Sequence, residues 1–82
     1  MPERIYRVER ELPGVTPERF LLAQAALERA CRRLTEAGEP VTYLGTVWSD
    51  PPKRMVCRFK AASREGVRRA NDAAQVPYGR IC

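Results

Sequence analysis

The sequence predicts an α+β fold: a four-stranded antiparallel sheet with two helices on one of its faces. Three observations point there. Periodic segments follow the order strand, helix, strand, strand, helix, strand; the two middle strands are separated only by a short proline-stiffened turn, which makes them a hairpin; and 82 residues suffice for one domain, spanning residues 1–82.

The first segment, Arg4 to Arg10 (RIYRVER), is a β-rich run that Leu12-Pro13-Gly14 ends with turn residues. Thr16 then reads as a helix N-cap, with Pro17 at the first helical position and Glu18 favourable to the positive end of the helix dipole. Phe20, Ala23, Leu27, Ala30, Cys31 and Leu34 recur at steps of three and four, so one stripe faces a core until Gly38 stops the helix.

Val41 to Trp48 (VTYLGTVW) is the second strand, Ser49-Asp50-Pro51-Pro52 the turn, and Arg54 to Lys60 (RMVCRFK) a third strand with clean alternation. Ser63 caps a shorter helix in which Val67, Ala70, Ala73 and Ala74 form a small-residue stripe suited to close packing on a sheet. Val76 to Cys82 is a weak last strand. Pro77 cannot donate to a ladder, which places this segment at an edge or confines pairing to its end.

Two strand-helix-strand units joined by a hairpin make the split βαβ, or ferredoxin-like, arrangement. Right-handed crossovers put the first and third strands in the centre and the second and last at the edges. Alternation assigns Met55, Cys57 and Phe59, with Tyr6 and Val8, to the face the helices cover. Ile5, Arg7, Glu9, Arg54, Val56, Arg58 and Lys60 fall on the open face.

Charge sharpens this division. The net charge is +5, and each helix carries +1 against +6 on the strands, so the open face is basic at its middle. Helix charges stand at partner spacing, Glu28 with Arg32, Arg32 with Glu36, Glu65 with Arg69 and Arg68 with Asp72, as on solvated faces.

A basic sheet of this topology could engage phosphates, but modules that read RNA this way stack bases on aromatics of the central strands, and Ile5, Arg7, Glu9, Val56 and Arg58 offer no such platform. Those five residues are read instead as a homodimer face, with ion pairs around Ile5 and Val56. A domain this small buries only about 60% of its unfolded surface, which makes burial against a partner subunit valuable.

Histidine is absent, which removes the usual proton shuttle near neutral pH, the serine and cysteine triads and most metal hydrolase sites. Cys31, Cys57 and Cys82 are odd in number and widely spaced, without the paired grouping of zinc or redox sites, and Cys31 and Cys57 read as small buried hydrophobes. Reduced thiols, no apolar run of about 18 residues and no signal-peptide pattern give the expectation of a soluble cytoplasmic protein with no membrane role. A cavity between sheet and helices could still hold a small molecule, with Tyr43, Trp48, Cys57 and Asn71 as its polar and aromatic lining.

The runs Val8-Glu9-Arg10, Leu12-Pro13-Gly14-Val15-Thr16-Pro17, Pro40-Val41-Thr42-Tyr43-Leu44-Gly45, Ala62-Ser63, Val67-Arg68-Arg69-Ala70-Asn71, Val76-Pro77-Tyr78 and Arg80-Ile81 together resemble a family of small bacterial nickel-binding, nickel-responsive domains. The resemblance covers nearly the whole chain and rests on scaffold residues more than reactive ones. It implies a ferredoxin-like fold and a homodimer, with nickel binding described for at least one relative, so nickel enters as a cofactor by resemblance only; without histidine no metal ligand carries over to this sequence. The leading expectation is a small dimeric protein similar to that nickel-binding family, either non-catalytic or ligand-binding. The alternatives are a cofactor-free small-molecule enzyme with its site between sheet and helices, and a basic sheet binding nucleic acid.

Overall fold

The elements follow from their local chemistry. In the computed structural model, which describes residues 2–11, 14–49 and 54–82, they are β1 (Arg4–Arg10), α1 (Pro17–Glu36), β2 (Val41–Ser49), β3 (Arg54–Ala61), α2 (Arg64–Ala74) and β4 (Arg80–Ile81). The turn residues Leu12-Pro13 and Asp50-Pro51-Pro52 lie outside the described residues.

Both helices begin where a hydroxyl replaces a missing backbone acceptor. Thr16 Oγ1 accepts from Arg19 N at 3.2 Å, and Ser63 Oγ from Gly66 N at 3.2 Å. The end of α1 is closed by Gly38 at φ +93°, which lets Glu39 N donate to Leu34 O at 2.8 Å. Thr35 then fixes the entry to β2, its hydroxyl donating to Val41 O at 3.0 Å and accepting from Val41 N at 3.1 Å.

The sheet runs β2-β3-β1-β4, with every neighbour antiparallel, so β1 and β3 are central as the crossover rule requires. Tyr6 stands opposite Phe59, Val8 opposite Cys57 and Arg10 opposite Met55. β4 is shorter than the sequence suggests. Its two residues pair with Val8 and Glu9, and backbone bonds from Gly79 N to Glu9 O (2.9 Å) and between Arg7 and Cys82 (3.0 and 2.7 Å) complete the edge beyond Pro77.

The covered face holds the core. Phe59, Val8 and Val67 are fully buried and Met55 nearly so; burying a side chain of this size contributes about 1.5–3 kcal/mol. Tyr43 packs on Phe59 with ring centroids 5.4 Å apart. α2 approaches the sheet so closely that a Cβ on Gly66 would stand 3.1 Å from Val41 Cγ2. Cys31 and Cys57 lie in this core, and Cys82 is exposed.

Of the helix charges expected to pair by spacing, Glu65 meets Arg69, and the other contacts differ. Arg69 reaches Glu39 at 2.9 Å as well as Glu65 at 3.6 Å, while Arg68 turns back to Glu65 rather than forward to Asp72. No helix among the described residues is long and apolar enough to cross a membrane.

A candidate functional site at a buried arginine

Arg10 ends β1 with the same parity as Tyr6 and Val8, so alternation carries its side chain to the covered face. It is only 2% exposed. Nη2 donates to Asn71 Oδ1 at 2.5 Å and Nη1 to Pro77 O at 3.4 Å, while Nε is buried with no acceptor. Both acceptors are neutral, and no carboxylate shares in the hydrogen bonding. Burial pushes the guanidinium pKa down; Cys57, Tyr43 and Tyr78 surround it and act in the opposite direction. Arginine stays protonated throughout the working pH range, so the domain carries a buried cation, for which removal from water costs several kcal/mol.

Asn71 is shaped to meet it. One turn after Val67 on α2 and fully buried, it donates Nδ2 to Val67 O at 2.8 Å, which fixes its amide and turns Oδ1 to the guanidinium.

A second polar chain reaches the same layer from the hairpin. Thr46 stands opposite Cys57 in the β2–β3 ladder, and its hydroxyl lies 3.1 Å from the Cys57 sulfur and within hydrogen-bond reach of Tyr43 Oη. Strict alternation would put Tyr43 and Thr46 on opposite faces. A β-bulge between Tyr43 and Gly45 inserts one residue, with Gly45 at φ +124°, and brings both side chains to the covered face. Burial pushes the Tyr43 phenol pKa up, with Thr46 opposing it.

Of the four residues expected to line a ligand cavity, Tyr43, Cys57 and Asn71 therefore converge around Arg10. Trp48 does not join them. It is half exposed and packs against Phe20 from α1, with ring centroids 5.0 Å apart and the planes tilted by 59°. Sequence reasoning missed Arg10 and Thr46. The parity that placed Tyr6 and Val8 inside extends to Arg10, and that signal was available; Thr46 depends on the bulge, which alternation alone does not announce.

Arg10 also lines a pocket of about 470 Å³ with Glu9, Glu11, Arg54, Tyr78 and Arg80. Arg54 pairs with Glu11 at 3.4 Å, both exposed, and exposed Arg80 with half-buried Glu9 at 3.8 Å.

On the opposite face Ile5 is 53% exposed, and Val47 and Leu44 are also exposed beside half-buried Val56. Arg7 stands directly opposite Arg58, a like-charge pair for which no salt bridge closes among the described residues.

No group of three His, Cys, Asp or Glu side chains capable of holding a metal ion occurs among the described residues. At the Arg10 layer Cys57 is a single sulfur beside a guanidinium, and that fixed positive charge opposes a divalent cation.

A family model described as Nickel responsive protein SCO4226-like matches residues 6–82. No curated protein and no solved structure matches the chain.

Proposed function

The chain belongs to the SCO4226-like nickel responsive family, and from that premise we propose that it acts as a small homodimeric ligand-binding domain with its site around Arg10 rather than at a resident metal. One observation carries this reading: a domain of marginal size keeps a cation 98% out of water without a carboxylate to neutralise it. A methionine or leucine there would pack at no electrostatic cost, so the charge is best explained by what it binds.

Binding is favoured over catalysis by the same residues. Tyr43 is pushed away from neutral titration, Cys57 is buried, and the chain has no histidine to move a proton near pH 7. Nickel fits poorly, because its nitrogen- and oxygen-rich sites favour imidazole and the buried sulfur here has a guanidinium for a neighbour. A thermal melt at excess nickel is expected to be unchanged; a concentration-dependent rise of Tm would overturn this exclusion.

Dimerisation through the open face is supported by Ile5, Leu44, Val47 and Val56, apolar groups that no helix covers. In an isologous contact Glu9 of one copy is the carboxylate of this patch available to Arg7 and Arg58 of the other. Light scattering at micromolar concentration should give twice the 9.3 kDa chain mass, and a monomer would remove the dimer. The unneutralised Arg7–Arg58 pair also supports a polyanion reading, for which single-stranded RNA should bind and weaken steeply with salt.

A further inference from the structure

We infer that the Arg7–Arg58 pair on the open face is a binding site for a dianionic phosphate group, brought either as inorganic phosphate or on a small phosphomonoester. The site is separate from the Arg10 layer and adds a second ligand to the reading above.

The sheet itself brings the two guanidiniums together. Arg7 spends its backbone on the β4 side, where its N donates to Cys82 O at 3.0 Å and its O accepts from Cys82 N at 2.7 Å, so Arg58 stands opposite it on β3 as a partner without backbone bonds. Such pairs are the close ones of an antiparallel ladder, with Cβ atoms about 4.5–5.5 Å apart. Like charges at that spacing oppose folding, and here nothing offsets them: neither arginine closes a salt bridge among the described residues. Glu9, the acidic residue of β1 on the same face, is drawn instead to Arg80 at 3.8 Å. Lys60, two residues from Arg58 on that face, adds a further positive charge with no salt bridge among the described residues.

The pair is open to a ligand. Arg7 and Arg58 are both exposed, and both line one pocket of about 380 Å³ with Ile5 and Cys82, so a molecule seated there meets both side chains.

Charge and donor geometry select the ligand. Two positive charges without a counter-charge are balanced by one dianion. Each guanidinium presents a planar fork that pairs bidentately with phosphate oxygens, and a phosphomonoester has three such oxygens to share between two forks. A carboxylate or a phosphodiester carries a single charge and leaves one arginine unmatched, which sets a small monoester apart from the backbone of RNA. Ile5, 53% exposed, offers apolar surface in the same pocket to the organic part of a monoester. The second copy proposed above leaves this need in place. In an isologous contact one Glu9 faces two arginines, so the anion and the second copy share the face.

The test titrates the full chain with inorganic phosphate, phenyl phosphate and dimethyl phosphate at about pH 7.5, where a monoester is largely a dianion, and at constant ionic strength. Binding is followed through the backbone and Nε–H signals of Arg7 and Arg58 in nitrogen–proton correlation spectra. Phosphate and phenyl phosphate are expected to move these signals saturably at low millimolar concentration, and dimethyl phosphate, a monoanion, to bind at least about tenfold more weakly. Arg58→Gln should weaken phenyl phosphate by about tenfold as well, whereas Arg29→Gln, at an exposed position of α1, should leave it unchanged. Tighter binding of phenyl phosphate than of inorganic phosphate would support a monoester as the ligand, equal binding the free anion, and either result upholds the site. Dimethyl phosphate binding as well as phenyl phosphate would overturn the dianion assignment. Equal losses in the two variants would overturn the site, since they report attraction to a basic protein at large; so would unmoved Arg7 and Arg58 signals up to tens of millimolar. Light scattering on the same samples separates this inference from the dimer: a monomer mass with phosphate bound removes the dimer and upholds the site, while a dimer that phosphate dissociates overturns the shared face.

Discussion

The two faces of the sheet are built from alternate residues of the same strands, and each breaks the rule that made it. On β1 the covered series is Tyr6, Val8 and Arg10, apolar until it ends in a charge; the open series is Ile5, Arg7 and Glu9, charged but led by an exposed isoleucine. Period-two alternation is enforced because a one-residue slip would turn every side chain over, so an exception on either face is not a register accident. A buried charge without a counter-charge lowers stability, and so does apolar surface left in water. On the function proposed above, the exceptions are where something else completes the chain's own packing, a small molecule on one side and a second copy on the other.

The largest expected effect tests which face carries the fold. Phe59→Ala removes a fully buried ring from the centre of the covered face and should cost about 3–5 kcal/mol in urea denaturation, a large part of the stability of any small domain. Val47→Ala on the open face should change it by no more than about 0.5 kcal/mol at protein concentrations where the chain is monomeric. Equal losses would mean that the open face is covered even in the monomer.

A smaller effect separates the faces by pH. Burial, with Glu28 adding to it, pushes the Cys31 thiol on α1 from near 9.0 up to about 11. The folded state therefore prefers the protonated thiol. Its contribution is fully present below pH 9 and is lost as pH rises from there through 11, by on the order of 2 kcal/mol. Cys31→Ala should flatten that part of the pH–stability curve, and an undiminished slope in the variant would assign it elsewhere.

Arg10 gives the comparison its sharpest form. Arg10→Met alone strands Asn71 Oδ1 without a donor and should cost about 1–3 kcal/mol, while Arg10→Met with Asn71→Leu should recover most of that loss or exceed the starting stability. If the paired variant stays as damaged as the single one, Arg10 is structural and the covered face has no functional exception.

The smallest effect lies at the pocket rim. Arg54→Ala removes an exposed pair with Glu11 at 3.4 Å and should change stability by less than about 1 kcal/mol, measured by thermal melting.

The six elements, their order and their placement in the sheet were legible because each has a local cause: Thr16 and Ser63 cap helices, Gly38 ends one, and the alternation of Met55, Cys57 and Phe59 makes a strand one-sided. Local chemistry also fixed which residues look toward the helices, Arg10 included. What the sequence did not determine is how those residues meet. Thr46 reaches Cys57 and Tyr43 only because one extra residue, Leu44, shifts the β2–β3 register before Gly45, and Trp48 leaves the cluster to pack on Phe20 from a helix more than twenty residues earlier in the chain. Arg10 finds Asn71 across 61 residues. Such pairings depend on backbone offsets of a few ångströms summed over the whole fold, and neither propensity nor periodicity carries that information; the sequence by itself decided the faces of β1 and β3, and the tertiary structure alone decided that the charge at the end of β1 is buried against Asn71.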